Sequence, residues 1–153
     1  MPEVGDVAPD FTLQDNKGET VALAGLRGKT VVLFFYPKAD TPGCTVEACS
    51  FRDAKASYDE ADVVILGISP DTVKSQDRFA EKFEFPYRLL ADHDHAVAEA
   101  YGVWAEKSMY GKKYMGIDRT TFVIGPDGKI SQVFKKVKVE GHAQEVLEII
   151  RAA

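Results

Sequence analysis

The chain has 153 residues, 45% hydrophobic and 10% aromatic, with a formal net charge of −5 and two cysteines. A chain of that length buries roughly 70% of the surface its unfolded form exposes, so its cysteines are not needed as staples. The ordinary apolar fraction argues against disorder, and the acidic balance gives no footprint for nucleic acid or an anionic membrane.

The longest apolar run, Val31 to Tyr36, is six residues, against the ~20 needed to cross a bilayer. The start of the chain carries Glu3 and Asp6 and no apolar stretch, so it does not read as a secretory signal. The expected location is a reducing cytoplasm, where a lone pair of cysteines is free, catalytic or metal-bound rather than permanently bridged. No repeat, low-complexity tract or linker divides the chain, and residues 1–153 are expected to form one domain.

Residues 10–23 predict a hairpin, with Phe11 and Leu13 before the Asn16-Lys17-Gly18 turn and Val21 and Leu23 after it. Lys29 to Tyr36 is a β-branched and aromatic run that predicts a strand buried on both faces, and Pro37 ends it. Over residues 43–60, Cys44, Ala48, Phe51, Ala54 and Tyr58 recur at helical spacing, and Val63 to Ile68 predicts a second buried strand. Two such strands joined by a helix form a parallel, right-handed βαβ unit. A helix over 72–84, a short strand over 87–90 and a helix from His95 to Trp104 follow.

Arg119 to Ile124 and Lys129 to Val137 flank Gly125-Pro126-Asp127-Gly128, a turn signal that demands an antiparallel pair. A helix from His142 to Arg151 closes the chain. The expected fold is therefore α/β and thioredoxin-like: a central mixed β-sheet flanked by helices, with an N-terminal β-hairpin extension.

The chemistry concentrates in residues 36–49, which leave the C-terminal end of a buried strand and enter a helix, where open α/β sheets place their sites. Cys44 falls in the first helical turn. Unpaired backbone N–H groups and the helix dipole there favour a thiolate, which is the nucleophilic form. Cys49 lies five residues on, about 140° around an ideal helix and roughly 8 to 9 Å away between Cα atoms. A disulfide wants less than about 7 Å, so a bridge requires the helix start to unwind. A buried, inert thiol remains the plain alternative, although Pro37, Thr41, Pro42 and Gly43 shape a tight start to the helix. A zinc site would need further ligands, and His93, His95 and His142 have no suitable spacing. The pair is not C-x-x-C, so the usual dithiol oxidoreductase motif is absent.

The segment Pro37-x-x-x-Thr41-x-x-Cys44 resembles the active-site signature of peroxiredoxins, thiol peroxidases on a thioredoxin-like fold. The stretch from Tyr36 to Asp53, YPKADTPGCTVEACSFRD, is similar to the bacterioferritin comigratory protein or PrxQ subfamily. The Gly5-Asp6-x-Ala8-Pro9-Asp10-Phe11 opening, the Gly102-Val103-Trp104 and Met109-Tyr110-Gly111-Lys112 segments, and Gly116 to Ile124 carry the likeness along nearly the whole chain.

The resemblance implies that Cys44 is the peroxidatic cysteine, whose thiolate attacks a hydroperoxide and becomes a sulfenic acid. It implies a Thr41 hydroxyl that can bond the thiolate and the peroxide oxygen, and a Pro37 that shields the site. Arg119 would stabilise the thiolate and the charge on the leaving oxygen. Cys49 would resolve the sulfenic acid as an intramolecular disulfide. Glu47 fits the pattern too, but its role stays open between catalysis and ordinary first-turn stabilisation. Trp104 reads as core, and the three histidines as residues of solvated loops or caps. The implied enzyme is a monomer that uses no haem, flavin or metal and is recycled by thioredoxin or a similar thiol reductant. The alternatives are a protein disulfide oxidoreductase on the same fold and a non-enzymatic peroxide sensor.

Overall fold

The computed structural model describes residues 1–152. Nine strands and four α-helices follow one another as β1 (Thr12–Asp15), β2 (Thr20–Ala22), β3 (Thr30–Phe35), α1 (Pro42–Glu60), β4 (Val63–Ser69), α2 (Val73–Phe83), β5 (Arg88–Ala91), α3 (Ala96–Ala100), β6 (Trp104–Met109), β7 (Lys112–Ile117), β8 (Thr120–Ile124), β9 (Ile130–Lys135) and α4 (His142–Ala152). Seven strands form a mixed sheet in the order β2-β1-β5-β4-β3-β8-β9, and β6 and β7 pair apart from it.

The expected N-terminal hairpin is present, and it extends the sheet rather than standing off it, because β1 pairs antiparallel with β5. Strand β3 lies inside the sheet, next to the middle strand β4. It runs parallel to β4 and antiparallel to β8, and the period-2 alternation of its side chains divides the core in two. Val31, Leu33 and Phe35 face Phe11, Tyr101 and Phe122. Val32, Phe34 and Tyr36 face the helical layer of Ala48, Phe51 and Tyr58 from α1, Phe79 from α2, and Val146 and Leu147 from α4. The unbroken apolar run is thus the signature of a strand covered on both faces.

Two expectations need correction. The helix expected over His95–Trp104 ends at Ala100, because Gly102 adopts φ +69° just after the last turn and stops it. Trp104 instead opens β6, half-buried, with its indole stacked on the His95 ring at 4.1 Å between centroids. The β6–β7 hairpin was not anticipated. Its Tyr110-Gly111 turn has positive φ at both residues, the two-residue geometry that matches strand twist. Its flanking residues are mostly exposed on both faces, so no alternation announces the strands.

Candidate active site

The C-terminal end of β3 feeds a loop, residues 36–41, that delivers the chain into α1. Thr41 is the N-cap in extended conformation and Pro42 takes the first helical position, where its missing N–H costs nothing. Cys44 is the third helical residue, 1% exposed, and packs with Tyr36, Ala39 and Ala48. Strand β8 runs antiparallel to β3 with Thr120 opposite Phe35, so the residue before it, Arg119, arrives at the same sheet end.

Arg119 and Cys44 lie 75 positions apart in sequence, yet the guanidinium Nη2 donates to the Cys44 Sγ at 3.4 Å. Its Nη1 donates to the Glu47 Oε1 at 2.7 Å. One planar fork therefore holds the thiol and the carboxylate together, which a lysine cannot do. Gly43 makes room for it: a Cβ there would stand 3.3 Å from the Arg119 Nη2.

Glu47 is not a solvated first-turn acid. It lies in the second turn, fully buried, with its Oε2 unpaired. Burial pushes its carboxyl up to about 7, and Arg119 offsets only part of that. Partial burial pulls Arg119 down, but Glu47 and the Cys44 sulfur outweigh it and hold the guanidinium above its ordinary value.

The remaining candidates are placed as follows. The Thr41 hydroxyl donates to the Lys38 carbonyl at 2.8 Å. Pro37 is exposed on the loop before α1, while Cys44 beneath that loop is buried in one apolar cluster with Tyr36, Ala39 and Ala48. Both cysteines are free; Cys49 is half-buried, and that burial pushes its thiol up. They share one continuous helix, with the ideal separation of roughly 8 to 9 Å between Cα atoms. Among the described residues no group of three or more His, Cys, Asp or Glu side chains is placed to hold a metal ion.

Residues 4–133 match the AhpC/TSA family. Peroxiredoxin Bcp of Bacillus subtilis is 48% identical over 149 residues, covering 97% of this chain and 95% of that protein. The chain is a peroxiredoxin of the AhpC/TSA family. Solved peroxiredoxin structures superpose closely. A Xanthomonas campestris bacterioferritin comigratory protein, studied for alkyl peroxide reduction, has a TM-score of 0.91 at 40% identity, with 99% of this chain and 97% of that chain covered. A Xylella fastidiosa PrxQ mutant reaches 0.94 at 35% identity, over 99% and 97% of the two chains. This peroxiredoxin is a thiol-dependent peroxidase, taking a peroxide substrate and a thiol reductant.

Sequence reasoning misplaced one histidine of this peroxiredoxin. His142 is 1% exposed, not solvated: it opens α4 with its Nε2 2.8 Å from the Thr121 Oγ1 and its ring edge-on to Phe51 and Phe134. Burial lowers its tendency to protonate. Glycine before a polar residue that opens an amphipathic helix was the available signal, and it does not reveal burial. His93 is exposed and His95 half-buried.

Glu47 gives the peroxiredoxin a pH-dependent stability with a definite sign. An acid raised from 4.5 to about 7 binds its proton more tightly folded than unfolded. Stability therefore falls as pH rises from about 4.5 to about 7 and levels off above. Glu47→Gln is expected to remove that component. Denaturant midpoints at pH 5 and pH 8 should show wild type losing ground to Glu47→Gln on going up; parallel shifts would contradict the assignment.

Proposed function

We propose that Cys44 is the peroxidatic cysteine and Cys49 the resolving cysteine of an intramolecular disulfide cycle that reduces hydrogen peroxide and organic hydroperoxides. The observation that carries this is the Arg119 guanidinium donating to Cys44 while anchored on Glu47. A fixed positive donor at the sulfur stabilises a thiolate and stands ready for the charge that develops on the leaving oxygen.

The thiolate attacks the terminal oxygen of the hydroperoxide. The S–O bond forms, the O–O bond breaks, and the alkoxide or hydroxide takes a proton and leaves as alcohol or water. Cys44 is oxidised by two electrons to a sulfenic acid. Cys49 attacks that sulfur, water leaves, and a Cys44–Cys49 disulfide forms; a dithiol reductant of the thioredoxin kind returns both thiols by exchange. Because both cysteines lie on one helix, the first turn must open before they bond. Thr41 at the N-cap and Pro37 on the preceding loop complete the proposed site, with no cofactor.

An intramolecular bridge needs no second subunit, and the chain is proposed to act as a monomeric single domain. The acidic charge argues against nucleic-acid and anionic-membrane partners, the proposed location is the cytoplasm, and among the described residues no helix is long and apolar enough to cross a membrane.

The test is turnover with thioredoxin, thioredoxin reductase and excess hydrogen peroxide. Wild type is expected to consume many equivalents per chain. Cys49→Ser is expected to stop after about one equivalent, because its sulfenic acid has no partner in the chain. Undiminished turnover of Cys49→Ser would refute the resolving role.

A further inference from the structure

The loop that carries Pro37 and Thr41 is exposed at Pro37, Lys38 and Asp40, yet one of its peptide units is held from both sides. The Ala39 N–H donates to the Asp71 Oδ2 at 2.8 Å. The carbonyl of the same unit, that of Lys38, accepts the Thr41 hydroxyl at 2.8 Å. A peptide is planar, and in the trans form its N–H and C=O point in opposite directions. Fixing the N–H therefore fixes the direction in which the C=O is offered.

Asp71 is itself held. It lies in the turn between β4 and α2, and its Oδ2 also accepts the Ser69 hydroxyl at 2.6 Å, with the Ser75 hydroxyl 3.4 Å from its Oδ1. Ser69 in turn accepts from the Gln76 amide at 2.9 Å, and Gln76 accepts the Tyr36 hydroxyl at 2.5 Å. Gln76, Ser69 and Tyr36 are all buried, so a closed network ties the end of β3 to the β4–α2 turn and leaves one acceptor facing the loop. The loop's other tether, the ion pair of Asp40 with Lys82, is exposed on both sides and holds little.

We propose that Asp71 is a positioning residue of the peroxidase reaction: through the Lys38–Ala39 peptide it sets the direction of the Thr41 hydroxyl at the start of the helix that carries Cys44. The proposal rests on the place of Thr41 in the proposed site, as an acceptor for the substrate rather than as the donor to the thiolate that the resemblance implies, because its proton is donated to the Lys38 carbonyl. With its proton committed to the Lys38 carbonyl, the Thr41 oxygen keeps its lone pairs for a donor entering from outside. A hydroperoxide O–H is such a donor. Without Asp71 the peptide unit can rotate, and the hydroxyl loses its fixed acceptor.

The experiment compares second-order rate constants for Cys44 oxidation by hydrogen peroxide, followed by stopped flow, in wild type, Asp71→Ala, Asp71→Asn, Thr41→Val and the Asp71→Ala/Thr41→Val pair. Loss of alignment in a reacting site costs on the order of tenfold to a hundredfold, and that is the fall expected for Asp71→Ala. Asp71→Asn keeps an acceptor for the Ala39 N–H and is expected within about twofold of wild type on that ground. In the Thr41→Val background Asp71→Ala is expected to add less than about twofold, since its route to the reaction is gone. A general structural role would give the full loss in both backgrounds and would overturn the proposal.

Asp71→Ala at the wild-type rate beside a damaged Thr41→Val would overturn the proposal alone. Thr41→Val at the wild-type rate would remove the role of Thr41 and the proposal with it. If Asp71→Ala does not fold, Asp71→Asn decides together with amide exchange at Ala39. Protection and rate both retained support the proposal; protection retained with a tenfold loss of rate overturns it.

Discussion

Cys44→Ser is expected to reduce hydroperoxide consumption to the uncatalysed background while the fold survives. The substitution exchanges one atom at a position with 1% exposure, and the Arg119 guanidinium, 3.4 Å from the sulfur, can donate to a hydroxyl instead. A serine hydroxyl beside that guanidinium does not ionise near neutral pH, and oxygen is a poor nucleophile toward a peroxide bond, so the chemical step has no replacement. Peroxide consumption with a thiol reductant, set beside circular dichroism and thermal melting, separates lost chemistry from lost structure. Residual activity above background in a folded Cys44→Ser would place the reaction elsewhere.

Arg119→Ala is expected to lower the rate constant for Cys44 oxidation by about 10²- to 10³-fold, the usual effect of removing one donor aimed at developing charge. Arg119→Lys should recover little of it, because an ammonium on a flexible stem cannot serve Cys44 and Glu47 in one plane. The variant also strands Glu47 in a fully buried position, and breaking such a pair costs roughly 3–5 kcal/mol when the remaining charge stays ionised. Glu47 can escape much of that cost by protonating, since burial has already pushed it up to about 7. The Arg119→Ala/Glu47→Gln double variant should therefore regain stability without regaining rate. Single-turnover oxidation and chemical denaturation on the three variants check both halves. A double variant that recovered its rate would mean that Arg119 acts only by neutralising Glu47.

The chain displays the central part of this site openly. Thr41, Pro42 and Cys44 fall together at a strand-to-helix junction, and the run Val31 to Tyr36 has the composition of a strand covered on both faces. Arg119 could be carried to the site only by family likeness, because nothing local tells which strand will lie beside β3. Its arrival depends on the antiparallel register of β8, with Phe35 opposite Thr120.

The burial of Glu47 and of His142 is not legible in the sequence for a shared reason. Both are polar residues in helices whose burial is decided by packing partners distant in sequence, Arg119 for one and Thr121 with two phenylalanines for the other. Asp71 sits in an ordinary Ser-Pro-Asp-Thr turn before a helix, a pattern that reads as capping. Its contact with Ala39 appears only once the sheet has brought the two loops together. The β6–β7 hairpin was missed because a two-stranded ribbon wet on both faces has no hydrophobic period to detect.

In the proposed cycle Cys44 takes the oxidising equivalent and passes it to Cys49 within the same chain, across a helix that must open. Peptide mass spectrometry of alkylated protein after one equivalent of hydrogen peroxide tests it most directly. The expected result is one disulfide-linked species joining the Cys44 and Cys49 peptides of a single chain. A persistent sulfenic acid at Cys44, or a bond between two chains, would contradict the intramolecular cycle.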